Sequence, residues 1–210
     1  MQFVLIGSLG VLALGSLALV QTAAQAPVPA PVGDYSIERP FAEGGRVRLQ
    51  LASGDYTVRA GASDRIVVRW DAAGDARVED LKKLEVDVHV AGSMATIVTD
   101  GPTKHMEFTI ELPSRSDVHL RMRAGEVGMT GIEGHKNIRM TAGELTIGVR
   151  AESLGSAHAS VTFGDLNADA LGISKSGIKR SLDWIGGGTY ALDARLGAGD
   201  LTLAELPELP

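Results

Sequence analysis

The chain has no cysteine. That excludes disulfides, thiolate metal sites and a cysteine nucleophile. It also excludes a lipobox, so a leader cannot end in a lipid-modified Cys. Aromatic residues make up only 4% of the 210 positions, so the core must be aliphatic. Two Trp and three Tyr would line a sugar-stacking groove poorly. Basic residues are outnumbered, 20 Lys and Arg against 26 Asp and Glu, for a net charge of −6. No domain-scale basic surface is expected, which argues against nucleic-acid binding.

Catalytic signatures are missing too. The five histidines, His89, His105, His119, His135 and His158, form no HxH, HxxxH or HExxH pair, so zinc-site spacing is absent and surface positions are expected. There is no Gly-x-Ser-x-Gly, no P-loop and no Gly-x-Gly-x-x-Gly after a strand. Ser176-Gly177-Ile178-Lys179 matches a bare Ser-x-x-Lys string, but Gly177 opposes the helix that string requires, and its partner motifs are absent. No catalytic residue, cofactor or firm metal site is therefore expected.

What the chain has is a leader, glycine and repetition. Phe3 to Val20 carries no charge, and Ala24-Gln25-Ala26 is a small-x-small cleavage site. Residues 1–26 read as a signal peptide, although the segment before the apolar run lacks Lys and Arg. The run is also long enough to span a bilayer, so retention as an anchor is the alternative. Residues 27–40 open with Pro27-Val28-Pro29-Ala30-Pro31 and read as a proline-rich spacer.

Residues 41–112 alternate with period two and predict an antiparallel meander of about six strands. Val47, Leu49 and Leu51 face one way, Ser53-Gly54-Asp55 turns the chain, and Tyr56 and Val58 continue as a hairpin partner. Ile66, Val68 and Trp70 follow, then Leu84 to Val90, Ala95 and Ile97, and Phe108 to Leu112. Ala76 to Leu84 is the one candidate helical turn outside the leader.

Residues 113–210 change texture. Ala124-Gly125-Glu126-Val127 returns as Ala142-Gly143-Glu144-Leu145 and Ala198-Gly199-Asp200-Leu201, with looser copies at Phe163-Gly164-Asp165-Leu166 and Ser53-Gly54-Asp55-Tyr56. The glycines at 125, 143 and 164 are 18 and 21 residues apart. A period near 20 with short strands predicts an all-β fold: a β-solenoid whose coils stack, because no single coil buries its own apolar face. Expected inward residues include Val118, Leu120, Met122, Val127, Met129, Ile138, Met140, Leu145, Ile147, Val149, Val161, Phe163, Leu201 and Leu203. The gap from Gly164 to Gly199 holds an insertion, 172–194, in which Trp184, Gly186-Gly187-Gly188 and Tyr190 read as a hairpin capping the stack.

Several of these pieces resemble the putative-adhesin family of bacterial domains of unknown function. They are Phe108-Thr109-Ile110-Glu111-Leu112-Pro113, Val118 through Val127, Gly131 through Ile138, Thr141 through Ile147, and Asp183-Trp184 through Leu203. The resemblance implies β-solenoid-like sheets and secretion or surface display. It brings no catalytic residues.

Two charge features remain. Glu126, Glu144, Asp165 and Asp200 would stack as a column if the coils register. They are read as solvated corner acids, with recruitment of Ca²⁺ as the minority alternative. Lys175, Lys179 and Arg180 form a compact basic cluster, read as a solvated loop or a contact for an anionic envelope polymer. The expectation is an exported, non-catalytic, adhesin-like or envelope scaffold protein with an unknown surface ligand, located in the periplasm, envelope or outside the cell. A carbohydrate-active β-solenoid enzyme and a membrane-anchored sensor module remain alternatives.

Overall fold

The computed structural model describes residues 35–72, 80, 83–103, 105–175 and 178–206. The leader, the start of the spacer and most of the candidate helical turn lie outside these residues.

Among the described residues, fourteen strands form one mixed sheet. The long strands set its plan: β8 (Asp117–Thr130), β9 (Lys136–Val149) and β14 (Tyr190–Glu205). Each bends at its tetrad glycine, where φ is +133° at Gly125, +121° at Gly143 and +123° at Gly199. That backbone region favours glycine. Close approach demands it as well. A Cβ on Gly125 would overlap the carbonyl of Gly54, and one on Gly143 the carbonyl of Gly125. The same holds for Gly199 against Gly143 and Gly164 against Gly199. The glycines are thus a ladder in which each touches the backbone of the next rung.

The bend divides the sheet into two wings. The first half of β8 pairs in parallel with β2 (Arg46–Leu51), and its second half with β3 (Gly54–Ala60). Beyond these lie β6 (Met94–Asp100) and β7 (Met106–Leu112), again parallel. On the other side of β8 come β9, then β14, then β10 (Leu154–Phe163) with β11 (Leu166–Ala168). Antiparallel strands finish both ends. β5 (Glu85–Ala91) pairs β6, while β4 (Arg65–Ala72) pairs β7 and carries β1 (Tyr35–Pro40). At the far end β13 (Ile178–Ile185) pairs β10 and β12 (Ile173–Lys175) pairs β11.

The all-β expectation holds at this level, as a mixed sheet with stacked parallel rungs. A sequentially wound stack differs from what is seen: β14 enters between β9 and β10, and β6–β7 lie outside β2–β3. The expected antiparallel meander over 41–112 is corrected in the same way. β2 and β3 do not pair with each other; Ser53-Gly54 is a corner that sends them into different wings. The 173–185 segment ends the stack, but its Gly186–Gly188 link is not a hairpin tip. It crosses the start of β10, with Gly186 N–H donating to the Gly155 carbonyl and Gly188 N–H to that of Leu154, both at 3.0 Å. β13 and β14 therefore lie on opposite sides of β10. The end of the expected spacer, Tyr35–Pro40, is strand.

The core is mostly aliphatic and lies between the wings. Leu49, Ile97, Leu120 and Ile138 come from one wing, and Val58, Ile110, Met129, Leu145 and Ile147 from the other, all with no accessible surface. Tyr56 and Phe108 stack within it at 4.6 Å. The Tyr56 hydroxyl and Thr99 Oγ1 are 2.7 Å apart, tying β3 to β6 across the core. Burial, eased by that bond, raises the Tyr56 phenol to about 12. Phe163 departs from expectation: it is 58% exposed. Its register partner is Ala198, which follows Ala142 and Ala124. The tetrad's first position already turns outward at the corner, and alanine is its usual occupant.

Candidate functional site: a cationic outer face

Strand alternation puts every second residue of the first wing on its outer face. Parallel in-register pairing then aligns like positions across rungs. One row runs Gln50, Arg121, Arg139, Arg195, Ser160, Ser181. The next runs Arg48, His119, Asn137, Asp193, His158, Asp183. Arg123 lies on the other flank. Arg48, Arg121, Arg123, Arg139 and Arg195 are all exposed. Net charge gives no hint of this, because most of the acids sit elsewhere and only Asp193 and Asp183 share these two rows. Like charges on adjacent strands, about 4.8 Å apart, are mutually unfavourable.

Partial compensation is visible. Arg195 is held by Asp193, with Nε–Oδ1 at 2.9 Å and Nη2–Oδ2 at 3.2 Å. Arg121 Nε donates to His119 Nε2 at 3.2 Å. Among the described residues, Arg48, Arg123 and Arg139 have no carboxylate within ion-pair distance. The field is felt by His119: burial first, then Arg121, Arg48 and Arg139, hold its imidazole below the ordinary value.

Among the described residues, depressions follow this face. One, of about 560 Å³, is lined by Arg121, Arg139 and Arg195 with Thr141, Ser160 and Thr162. Another, of about 650 Å³, lies between the β8 start and β13, with His119, His135, His158 and Trp184 on its walls. There His158 Nδ1 and Asp183 Oδ1 are 2.7 Å apart, with side chains 38% and 80% exposed. Ala191 N–H donates to His135 Nδ1 at 3.0 Å, so His135 is an acceptor on that nitrogen. Three histidines scattered in sequence thus border one hollow.

The expected acid column is in register. Glu126 pairs Glu144, Glu144 pairs Asp200, and the Asp165 N–H donates to Asp200 Oδ1 at 3.3 Å. Asp55 and Glu107 extend it through β3 and β7. All six are exposed, at the corner side of the second wing. Among the described residues, no three His, Asp or Glu side chains converge to hold a metal ion. Of the expected basic cluster, Lys179 and Arg180 lie on strand β13 and not in a loop, while the side chain of Lys175 falls outside the described residues, as do Ser176 and Gly177. The sequence signal for the arginine row was available in the repeat. Arg121, Arg139 and Arg195 each stand three residues before the tetrad's first position.

No family model matches the chain. No curated protein matches it either. Among solved structures, the fold is similar to that of a putative cell adhesion protein from Clostridium sporogenes, with a TM-score of 0.52 and 11% identity over 83% of this chain and 100% of that one. Putative adhesins from Bacteroides fragilis and Parabacteroides merdae overlap less, each with a TM-score of 0.26, at 11% and 10% identity. The former alignment covers 84% of this chain and 98% of that one, the latter 83% and 96%. At such identities the Clostridium structure establishes shared fold and nothing more, and an overlap of 0.26 is too small to argue from.

Proposed function

We propose that this chain is an exported, non-catalytic binding protein of the adhesin or envelope-scaffold kind, and that the cationic outer face is the surface it presents. The observation that carries the reading is the aligned set of exposed arginines on one face of an otherwise acidic protein. Maintaining like charges in register is unfavourable for the fold alone, which fits a surface neutralised by a ligand. The leader supports export, with residues 1–26 removed and the proline-rich stretch leading into β1. The fold shared with a protein described as a putative cell adhesion protein is consistent with display. The in-register bent rungs support a solenoid-like description of the stack, interrupted in chain order.

Among the described residues, the His158–Asp183 pair is the feature that favours a catalytic alternative. Both side chains are open to solvent, and an exposed ion pair of this kind contributes only about 0–1 kcal/mol. The deciding experiment is retention of the purified exported protein on cell-envelope fractions, together with assays of turnover on uronic-acid polysaccharides. Retention without turnover is expected. Turnover abolished by His158→Ala would replace this reading with the enzymatic one.

A further inference from the structure

We infer that the row Arg121, Arg139, Arg195 is a binding track for a linear anionic polysaccharide carrying a carboxylate on successive sugars. This rests on the surface-binding reading above and names the ligand chemistry for the same face. Three observations on the face select this class. The guanidiniums recur once per rung along the stacking direction, about 4.8 Å apart by strand spacing, so their charges form a line and not a disc. A guanidinium offers a planar fork that matches a carboxylate bidentately. The hydroxyls of Thr141, Ser160 and Thr162 line the same depression and supply donors and acceptors suited to sugar hydroxyls.

The neighbouring rows argue against broader anionic partners. Asp193 and Asp183 lie one row away, and Asp117 lies beyond them at the start of β8. A flat anionic bilayer pressed on this face would meet all of those carboxylates, whereas a single chain along the arginines meets only Asp193, where it holds Arg195. A nucleic-acid single strand gains much of its affinity from stacking on aromatic platforms. Neither Trp supplies such a platform here: Trp184 pairs Ala157 on the inward side of the wing and packs against the core, and Trp70 lies on β4.

The test titrates fluorescently labelled polygalacturonate into the full exported protein and follows anisotropy. Saturable binding is expected, weakened at least about tenfold when salt rises from about 0.05 to about 0.5 M. Arg139→Glu and the milder pair Arg121→Gln with Arg139→Gln should each weaken it at least about tenfold. Glu144→Gln, on the corner acids, should leave it unchanged. The imidazole of His119 is a second readout. It faces Arg48, Arg121, Arg139, Asn137 and Asp117, and its NMR titration midpoint should rise when polymer neutralises the arginines.

Unchanged affinity in the arginine variants, equal binding of neutral dextran, or a fixed His119 midpoint would overturn the inference. So would preference for phosphatidylglycerol vesicles or an oligo-dT strand over polygalacturonate. If envelope fractions retain the protein while polygalacturonate does not bind, the ligand class fails and the surface-binding reading stands. If neither binds, both fail.

Discussion

Lys136 offers the sharpest test of how this core is built. It occupies an inward register position, paired with Val118 on β8 and Leu192 on β14, and is only 5% exposed. Its Nζ donates to the Gly134 carbonyl at 3.2 Å. Burial pushes the ammonium from 10.5 down to about 8, and the opposing pull of Glu133 and Asp117 recovers only part of the loss. That difference corresponds to roughly 3 kcal/mol of destabilisation while the lysine is charged. The unfolded chain holds the proton more tightly, so stability rises with pH between about 8 and 10.5, and the whole penalty is present at pH 7. Lys136→Met keeps the length and removes the charge. It also loses a hydrogen bond worth about 1 kcal/mol and leaves the Gly134 carbonyl to water. A net gain of about 1–2 kcal/mol at pH 7 is expected, a rise in Tm of about 2–8 °C for a chain of this size. Urea unfolding of both proteins at pH 7 and pH 10 checks it. The gain should shrink toward zero or reverse at the higher pH. A variant that is less stable at pH 7, or an advantage equal at both pH values, would refute the argument that desolvation dominates at this site.

Gly143→Ala should destabilise by about 3 kcal/mol or more, because its φ is +121° and its Cβ would overlap the Gly125 carbonyl. Gly187→Ala, with no atom within 4 Å, should move the urea midpoint very little. Tyr56→Phe removes the bond to Thr99 and should cost about 1 kcal/mol in denaturant unfolding, with the wing packing otherwise intact. Glu111 is bonded by Arg59 at 2.6 Å and Arg69 at 2.9 Å. Burial opposes its charge, but the two guanidiniums outweigh that and hold its carboxyl below the ordinary value. Its contribution is therefore present above the usual carboxylate range and lost as pH falls through the lowered one. Glu111→Gln should be less stable than the parent by about 1 kcal/mol at pH 7, with the two melting curves converging in strong acid. If the gap persists in acid, the ion pairs are not its source.

Much of the local structure could be read directly. Period-two alternation placed Val47, Leu49, Val118, Leu120, Ile138 and Leu145 inside, and all are buried. The tetrad marked the corners, and its glycines are where φ turns positive. The acids after them align across rungs, as their repeat suggested. Phe163 misled because alternation alone assigned its face, while the tetrad alignment with Ala124, Ala142 and Ala198 already marked that position as outward. Lys136 was hidden for the opposite reason: a charged residue reads as solvent-facing unless its register is known.

The amino-acid order by itself determined the strands, the corners, the aliphatic composition of the core and the acidic balance. These depend on neighbours a few residues apart, through side-chain alternation and glycine's backbone freedom. Which strand lies beside which was decided only in three dimensions. Ser53-Gly54 could close a hairpin or turn a corner, and the choice rests on β2 and β3 each finding a parallel partner half of β8. β14 could follow β10 in the stack or slip between β9 and β10, as it does. That placement brings Arg195 beside Arg139 and completes the arginine row, an arrangement made by long-range pairing between segments 56 residues apart.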